Sequence, residues 1–593
     1  MVLETIDWLS VIAFFVVSLV IGIVVARQAS ASISEYFLSG RNMPWWLLGV
    51  SMVATTFSAD TPNLVTDIVR QDGVSGNWAW WAFLLTGMLT VFVYSKLWRR
   101  SNVLTDLEFY ELRYSGRAAA FLRGFRALYL GVFFNVMIMA TVCLAAIKIG
   151  GVLLNLTPVQ TLLIASVVTV IYSSLGGLKG VLITDFIQFI IAMIGSVWAS
   201  YVIVNLPEVG GLENMLSHPA VQPKLDLLPD FSRTETLIPL FVVPLAVQWW
   251  SVWYPGAEPG GGGYIAQRML SAKNEQHAIG ATLFFNIAHY ALRPWPWIII
   301  ALSSMIVFPN MEAIQAAFPH IAPGIIRHDL AYPAMLTYLP HGLLGLVIAS
   351  LIAAFMSTIS THLNWGASYV VNDFYKRFVD PEASDSSMVN LGRLSTVVLM
   401  VLAAILALYL ENAIQAFRIL LTIGAGTGLI FILRWFWWRI NAFTELAGMV
   451  VSFFVAIYFE LVHVRLGFED IPGHYRLLWG VGLTTALWLL ITFLTRPTSA
   501  EKLREFYLKV KPAGPGWDRI KRRMAENNEE IPVIEHNLSL EVLSVFIGSV
   551  TVFSVLFATG YWIYGAVITA MVLTIVSGLG ALWLIIMWRR FSK

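Results

Sequence analysis

Residues 349–364 read ASLIAAFMSTISTHLN, an apolar segment of helical period that crowds Ser357, Thr358, Ser360 and Thr361 onto consecutive turns. In a helix long enough to cross a bilayer, side chains one, three and four residues apart keep small oxygen atoms close together. There a dehydrated hard cation such as sodium can be held beside backbone carbonyls. Taken alone, the stretch reads first as interhelical glue, the common use of Ser and Thr in membrane helices. Two other segments reverse that preference.

The chain has 593 residues, 58% hydrophobic and 12% charged, with a mean hydropathy of +0.72. That is too little charge to solvate a water-soluble protein of this size, and it predicts an all-α polytopic membrane protein. Spans are expected at about 5–27, 44–69, 77–98, 125–150, 157–176, 180–205, 237–256, 276–308, 337–373, 388–411, 413–434, 442–465, 475–496, 540–560 and 562–588, about fifteen in all. The first lacks the basic start and small-residue cleavage site of a signal peptide, so it is expected to stay as a membrane helix.

Basic residues gather at 96–126 (Lys96, Arg99, Arg100, Arg113, Arg117, Arg123, Arg126), at 376–377 and at 496–523, which predicts cytoplasmic connections there. The connections at 206–236 and 309–336 are poor in basic residues and are expected on the other side. The N-terminus is then outside and the C-terminus inside, in the cell membrane. The net charge of +2 follows largely from this bias and points to no nucleic-acid partner; Lys521, Arg522 and Arg523 read as a face for membrane lipids. The single cysteine, Cys143, reads as a small core residue without an intramolecular disulfide.

Five spans at 44–205 and five at 237–434 share a rhythm, separated by a loop at 206–236, and an odd number per half inverts the second. Residues 1–43 then form an extra N-terminal helix, and 435–593 form peripheral helices with a cytoplasmic loop at about 497–538. Each half opens with a helix that looks broken, through Ser58, Ala59, Asp60, Thr61 and Pro62 in the first and through PGAEPGGGG (255–263) in the second. Interrupted helices at matching positions are the pointer to an inverted-repeat transporter, since freed carbonyls and amides need an ion, a solute or water as partners. An ordinary kink is the alternative for the first break, and a loop just past the helix end for the second. LREFYLKVKPAGPGW (503–517) mixes aromatic and basic residues and predicts a short interfacial helix before a Pro and Gly turn.

YSSLGGLKGVLITDFIQ (172–188) resembles a characteristic segment of the sodium:solute symporter family, which includes sodium/sugar, sodium/proline and sodium/sialic acid cotransporters. SGRNMPWWLLGVSMVATTFSAD (39–60), AAFMSTIST (353–361) with the following LN and NDFYK, and GYIAQRMLSAK (263–273) resemble the same family in the same order. The resemblance implies a LeuT-like fold of two inverted five-helix repeats with peripheral helices, and sodium as the co-transported ion. It places a sodium site on the carbonyls of Ala54, Phe57 and Ala354 and the hydroxyls of Ser357 and Thr358. Five neutral oxygens suit sodium, replacing its hydration shell without holding it too tightly. Asp185, a carboxylate within a membrane helix, matches the family's sodium-exit position; with Ser357, Ser360 and Thr361 it also matches a second sodium site of the sialic acid branch. An ion pair of Asp185 with Lys179 or an arginine is the alternative.

For the solute, Asp60 and Thr61 follow the first break in a position resembling the SAE of sugar-transporting members, and Gln415 resembles a sugar-contacting glutamine. Both favour a sugar or polyol. Against this, NWAWWAF (77–83) has tryptophans where sugar transporters carry an acid. Glu258, with His289 and Arg293 four residues apart on the following helix, adds ionisable groups that suit an amino acid, sialic acid or other carboxylate, as does Arg418. Arg293 reads equally as an ion-pair partner of Glu258 or as a snorkelling side chain. Trp249, Trp250, Trp253 and Tyr254 read as belt anchors before a stacking gate.

An enzyme finds no support, because no HExxH, GxSxG or Walker loop is present. A sodium channel or a transporter-like sensor is the remaining rival. The reading is a sodium-driven symporter of a small-molecule solute working by alternating access; the residues carry no signal of oligomeric state.

Overall fold

The computed structural model describes residues 3–29, 32–252, 258–410, 413–532 and 537–591, and side chains only in part within a few helices, 411–420 among them. Among the described residues there are helices and no strand, apart from a lone bridge between Met43 and Ala272. An apolar chain in lipid must satisfy its backbone within itself, which leaves the helix as the form open to segments of this length. We label Thr5–Ala29 α1, Trp45–Thr56 α2, Thr61–Asp72 α3, Gly116–Leu128 α4, Asn135–Leu154 α5, Pro158–Val204 α6, Gly263–Ser271 α7, Glu275–Ile287 α8 and Pro294–Val307 α9. Then follow Leu343–Ser368 as α10, Asp385–Ala407 as α11, Ala413–Phe436 as α12, Ala442–Ile457 as α13, Gly473–Leu494 as α14, Leu538–Ile563 as α15 and Val567–Phe591 as α16.

Among the described residues, eleven helical segments are long and apolar enough to cross a membrane. Four shorter apolar helices, Trp45–Thr56, Pro158–Ile171, Thr234–Ala246 and Gly426–Phe436, overlap four other expected spans, so length and apolarity alone do not reach the count of fifteen. The reason is local in two of them. α2 stops at Phe57, whose φ and ψ of −83° and 71° are not helical, and α3 restarts at Thr61 with Pro62 in its first turn, where a missing N–H costs nothing. Within α6, Gly177 takes φ 52° and ψ −161°, a conformation open to glycine, and divides the helix between the two spans expected there.

α10 is the central helix, buried along nearly its whole length and packed against α1, α5, α6 and α11. Its N-terminus is capped from another helix: Asp7 of α1 accepts from the backbone N–H groups of Gly342 (2.7 Å) and Gly345 (2.8 Å). Those are donors that a helix start leaves unpaired. α2 packs on α6 and α8, and α3 on α9. The outermost helices, α14 and α16, expose Leu490, Phe493, Ile568 and Ile575, as lipid-facing surfaces do.

Of the second break, 255–257 lie outside the described residues, and 258–262 form a packed loop ahead of Gly263, the first residue of α7. Gly260, Gly261 and Gly263 take φ of 89°, 78° and 50°, and a Cβ on Gly260 would stand 2.9 Å from the Tyr94 ring. Trp98 Nε1 donates to the Gly260 carbonyl (2.7 Å), and Asp106 accepts from the Gly263 N–H (2.8 Å), capping α7. The run of glycines is thus required twice, by backbone conformation and by space. The predicted interfacial helix exists as Ala500–Val510, but its apolar face of Leu503, Phe506, Tyr507 and Val510 is buried. Trp517 bonds the Trp435 carbonyl, and the Arg113 guanidinium stands over Trp517 and Phe506. Burial against protein takes the place of the membrane surface expected from the sequence.

Candidate solute and ion site

The first break meets the hydroxyl-bearing face of α10. Thr358 Oγ1 donates to the Thr55 carbonyl (2.8 Å), and the Thr361 and Thr55 hydroxyls lie 3.1 Å apart. Ser357 Oγ donates to Asp185 Oδ1 (2.6 Å), and Ser51 Oγ to Asp185 Oδ2 (2.5 Å). Ser360 turns back onto the Ser357 carbonyl at 3.1 Å. Ala54 and Phe57 are the last turn and cap of α2, and Ala354 lies one turn before Ser357 and Thr358 on α10. Asp185, Ser357, Thr358 and Ser360 are fully buried.

The cation beside Asp185 is Arg268 of α7, its Nη2 3.8 Å from Asp185 Oδ2. The same nitrogen donates to Thr361 Oγ1 (2.8 Å) and to Ser51 Oγ (3.1 Å), so α2, α6, α7 and α10 converge on one charge-assisted network. A lone buried carboxylate would be costly; a guanidinium and two hydroxyls offset that cost.

On the other side of the break lies a cavity of about 120 Å³, several times the roughly 10–15 Å³ that one water centre needs. Asp60, Thr61, His289 and Arg293 all line it, as the sequence reading expects of a solute site. Arg293 Nη1 donates to Thr56 Oγ1 (3.3 Å) and to the Val53 carbonyl (3.4 Å), and its Nη2 lies 3.4 Å from His289 Nε2. Since a guanidinium can only donate, His289 Nε2 accepts. Its Nδ1 then carries the proton toward Thr56 Oγ1 at 3.1 Å, making His289 a neutral, oriented imidazole. Arg293 also stands over the Trp297 ring at 5.3 Å.

One further sequence candidate, Glu258, does not line this cavity. Glu258 is buried elsewhere, in contact with Arg126 of α4 and 3.6 Å from Arg434 of α12, with Glu445 of α13 completing the cluster. The Glu258–Arg293 pair, one of the alternatives for Arg293, is not formed among the described residues. The side chains of Gln415 and Arg418 lie outside the described residues, as do Trp253 and Tyr254. Trp249 and Trp250 do not line the cavity, whereas Trp80 of NWAWWAF does, with its Nε1 donating to Asn77 Oδ1 (2.8 Å).

The cavity adds residues that sequence reading passed over, chiefly Asn63, Asp67, Lys148 and Asp329. Asn63 and Asp67 were legible, since they continue Asp60 at helical spacing, and Lys148 was legible as a charge within an apolar helix. Asp329 sits in a short 3-10 turn, His328–Leu330, between helices and carried no signal.

The sequence matches the Sodium:solute symporter family over residues 36–452. The Sodium/glucose cotransporter of Vibrio parahaemolyticus is 24% identical over 470 residues, covering 76% of this chain and 84% of that one. The Sodium/myo-inositol cotransporter of Homo sapiens is 28% identical over 565 residues, covering 85% and 75%. Among solved structures, the substrate-bound outward-open state of a Na+-coupled sialic acid symporter superposes with a TM-score of 0.66 at 19% identity, over 84% of this chain and 99% of that one. That likeness shows the fold, the LeuT-like arrangement of two inverted five-helix repeats with peripheral helices. With the family match extending over most of its length, this all-helical chain belongs to the sodium:solute symporter family, a multi-pass membrane transporter rather than an enzyme, with sodium as its co-transported ion.

Proposed function

We propose that the protein imports a small polar organic solute, a sugar or polyol in preference to an amino acid, sialic acid or other carboxylate, by sodium-coupled alternating access. One observation carries the reading. Thr55 lines the solute cavity and also accepts the Thr358 hydroxyl at 2.8 Å, so a single residue adjoins both the solute and the hydroxyls of α10.

The sodium ligands in this reading are the carbonyls of Ala54, Phe57 and Ala354 and the hydroxyls of Ser357 and Thr358. The Ser357 proton points to Asp185, which leaves the oxygen's lone pairs for a cation. Sodium there ties the break to α10, and the occupied site favours the conformation in which the solute pocket is complete. Asp185 serves as the exit path; Arg268 already supplies a positive charge beside it, which supports one sodium per cycle over a second ion at Asp185, Ser357, Ser360 and Thr361. Asp60 and Thr61, with His289 and Arg293 behind them, contact the solute, and Gln415 is retained as a candidate from resemblance. Two inverted repeats at 44–205 and 237–434, an outside N-terminus and a cytoplasmic C-terminus in the cell membrane complete the proposal, on the distribution of Lys and Arg.

The test is uptake into proteoliposomes of labelled glucose, myo-inositol, proline, N-acetylneuraminic acid and a simple carboxylate, with and without an inward sodium gradient. Saturable uptake of a sugar or polyol only with sodium is expected. Uptake confined to proline, N-acetylneuraminic acid or the carboxylate overturns the solute class, and sodium flux without any solute overturns symport in favour of a channel. A sodium-to-solute flux ratio near two overturns the single-ion cycle.

A further inference from the structure

The cavity has two unlike walls. One is the start of α3, where Asp60 at the N-cap, Asn63 and Asp67 recur at helical spacing and line the cavity; the other is α5, which lines it mainly with Ile138, Val142, Leu144 and Ala145, beside Thr141 and Lys148. Asn63 is 3% exposed, and neither Oδ1 nor Nδ2 of its amide has a hydrogen-bond partner among the described residues. A buried amide without partners is unfavourable unless something in the cavity satisfies it. One turn further along, Asp67 is also 3% exposed and forms no ion pair among the described residues; its Oδ1 accepts from Gln71 at 2.8 Å. The charges of the cavity argue against an anion: three carboxylates, Asp60, Asp67 and Asp329, line it against two cations, Lys148 and Arg293, and Lys148 is already engaged by Asp329 at 2.6 Å.

We propose that Asn63 and Asp67 form a hydroxyl-binding subsite, beyond the residues at the break, for a neutral polyhydroxylated solute whose C–H face rests on α5. A hydroxyl both donates and accepts, as does an amide, and a carboxylate accepts from a neighbouring hydroxyl. The apolar wall meets the ring carbons, and the polar stripe meets the ring edge. The inference rests on the polyol reading above and deepens it.

The experiment follows sodium-driven uptake of myo-inositol and glucose by wild type, Asn63→Leu and Asn63→Ser, with sodium binding measured by calorimetry without solute. Loss of two hydrogen bonds in Asn63→Leu should raise the half-saturation concentration of the transported polyol by about 10–100-fold. Asn63→Ser, which keeps a donor and an acceptor, should stay within a few-fold, and sodium binding without solute should be unchanged in both. If wild type transports a polyol and Asn63→Leu leaves its half-saturation within two-fold, the subsite is overturned and the symport reading stands. If wild type transports only proline or N-acetylneuraminic acid, the polyol reading falls and the subsite's ligand class with it. Should Asn63→Leu fail to bind sodium, Asp67→Leu, which removes the acceptor oxygens, takes its place under the same limits.

Discussion

Glu258 offers the sharpest quantitative test of the tertiary structure. Its carboxylate contacts Arg126, lies 3.6 Å from Arg434, and shares both arginines with Glu445, whose Oε2 is 3.9 Å from Arg126 and 3.7 Å from Arg434. All four side chains are 1–2% exposed, so two positive and two negative charges balance out of reach of water. In Glu258→Gln, Arg126 and Arg434 face Glu445 alone. Breaking a buried pair by removing one partner costs about 3–5 kcal/mol. A chain of this size loses about 1 °C of apparent unfolding temperature per kcal/mol, so the detergent-purified variant should melt about 3–5 °C below wild type. Adding Arg434→Met removes the surplus charge and should recover part of the loss, a coupling that a double-mutant cycle reads directly. A Glu258→Gln variant that melts with wild type, or a cycle with no coupling, would refute the buried quartet. A more than tenfold change in solute half-saturation without a change in melting would instead restore Glu258 as a solute ligand.

Three further outcomes are expected. Thr358→Ala removes one of five proposed sodium oxygens and should raise the sodium half-saturation of uptake by about 10–100-fold, while Thr358→Ser stays near wild type; unchanged sodium dependence in the alanine variant would sink the ligand assignment. Gly260→Ala forces a left-handed residue against the Tyr94 ring and should lower stability by at least about 1–2 kcal/mol, more than Gly467→Ala, whose φ of 87° lies in open space; equal losses would mean that the loop is not packed as described. His341, beside Asp7 at 2.6 Å and Glu4 at 3.5 Å, has its pKa raised above the ordinary 6.5, first by the hydrogen bond to Asp7. With the folded value above the unfolded one, its contribution is complete below about pH 6.5 and disappears as pH rises through the raised value. Protection factors at the start of α1, corrected for the intrinsic base-catalysed exchange rate, should therefore fall on the alkaline side in wild type and lose that pH dependence in His341→Ala; a variant whose protection factors keep the dependence would contradict it.

Much of the candidate ion site was readable in one dimension. Ser357, Thr358, Ser360 and Thr361 share a helix, so their proximity follows from helical spacing, and Asp185 stands out as a charge inside an apolar run. The break at Ser58, Ala59 and Asp60 was readable too, because Pro62 and the small residues before it interrupt an otherwise apolar helix. Asn63 and Lys148 show the limit. Each was visible, yet nothing in the spacing says that α3 and α5 face one cavity.

The sequence by itself determined what depends on local chemistry: an all-helical membrane protein, its interrupted helices, the hydroxyl-rich face of α10 and the family. Tertiary structure decided which distant charges meet. Glu258 lies within the glycine-rich break at 255–263, and sequence reading sent it to the solute; folding sends it to Arg126, 132 residues away, and to Arg434. Asp185 could have met Lys179 on its own helix, and it meets Arg268 of α7 instead. Buried charges are drawn to partners by long-range electrostatics in a low-dielectric interior, and the partner available is set by how helices pack rather than by their order along the chain.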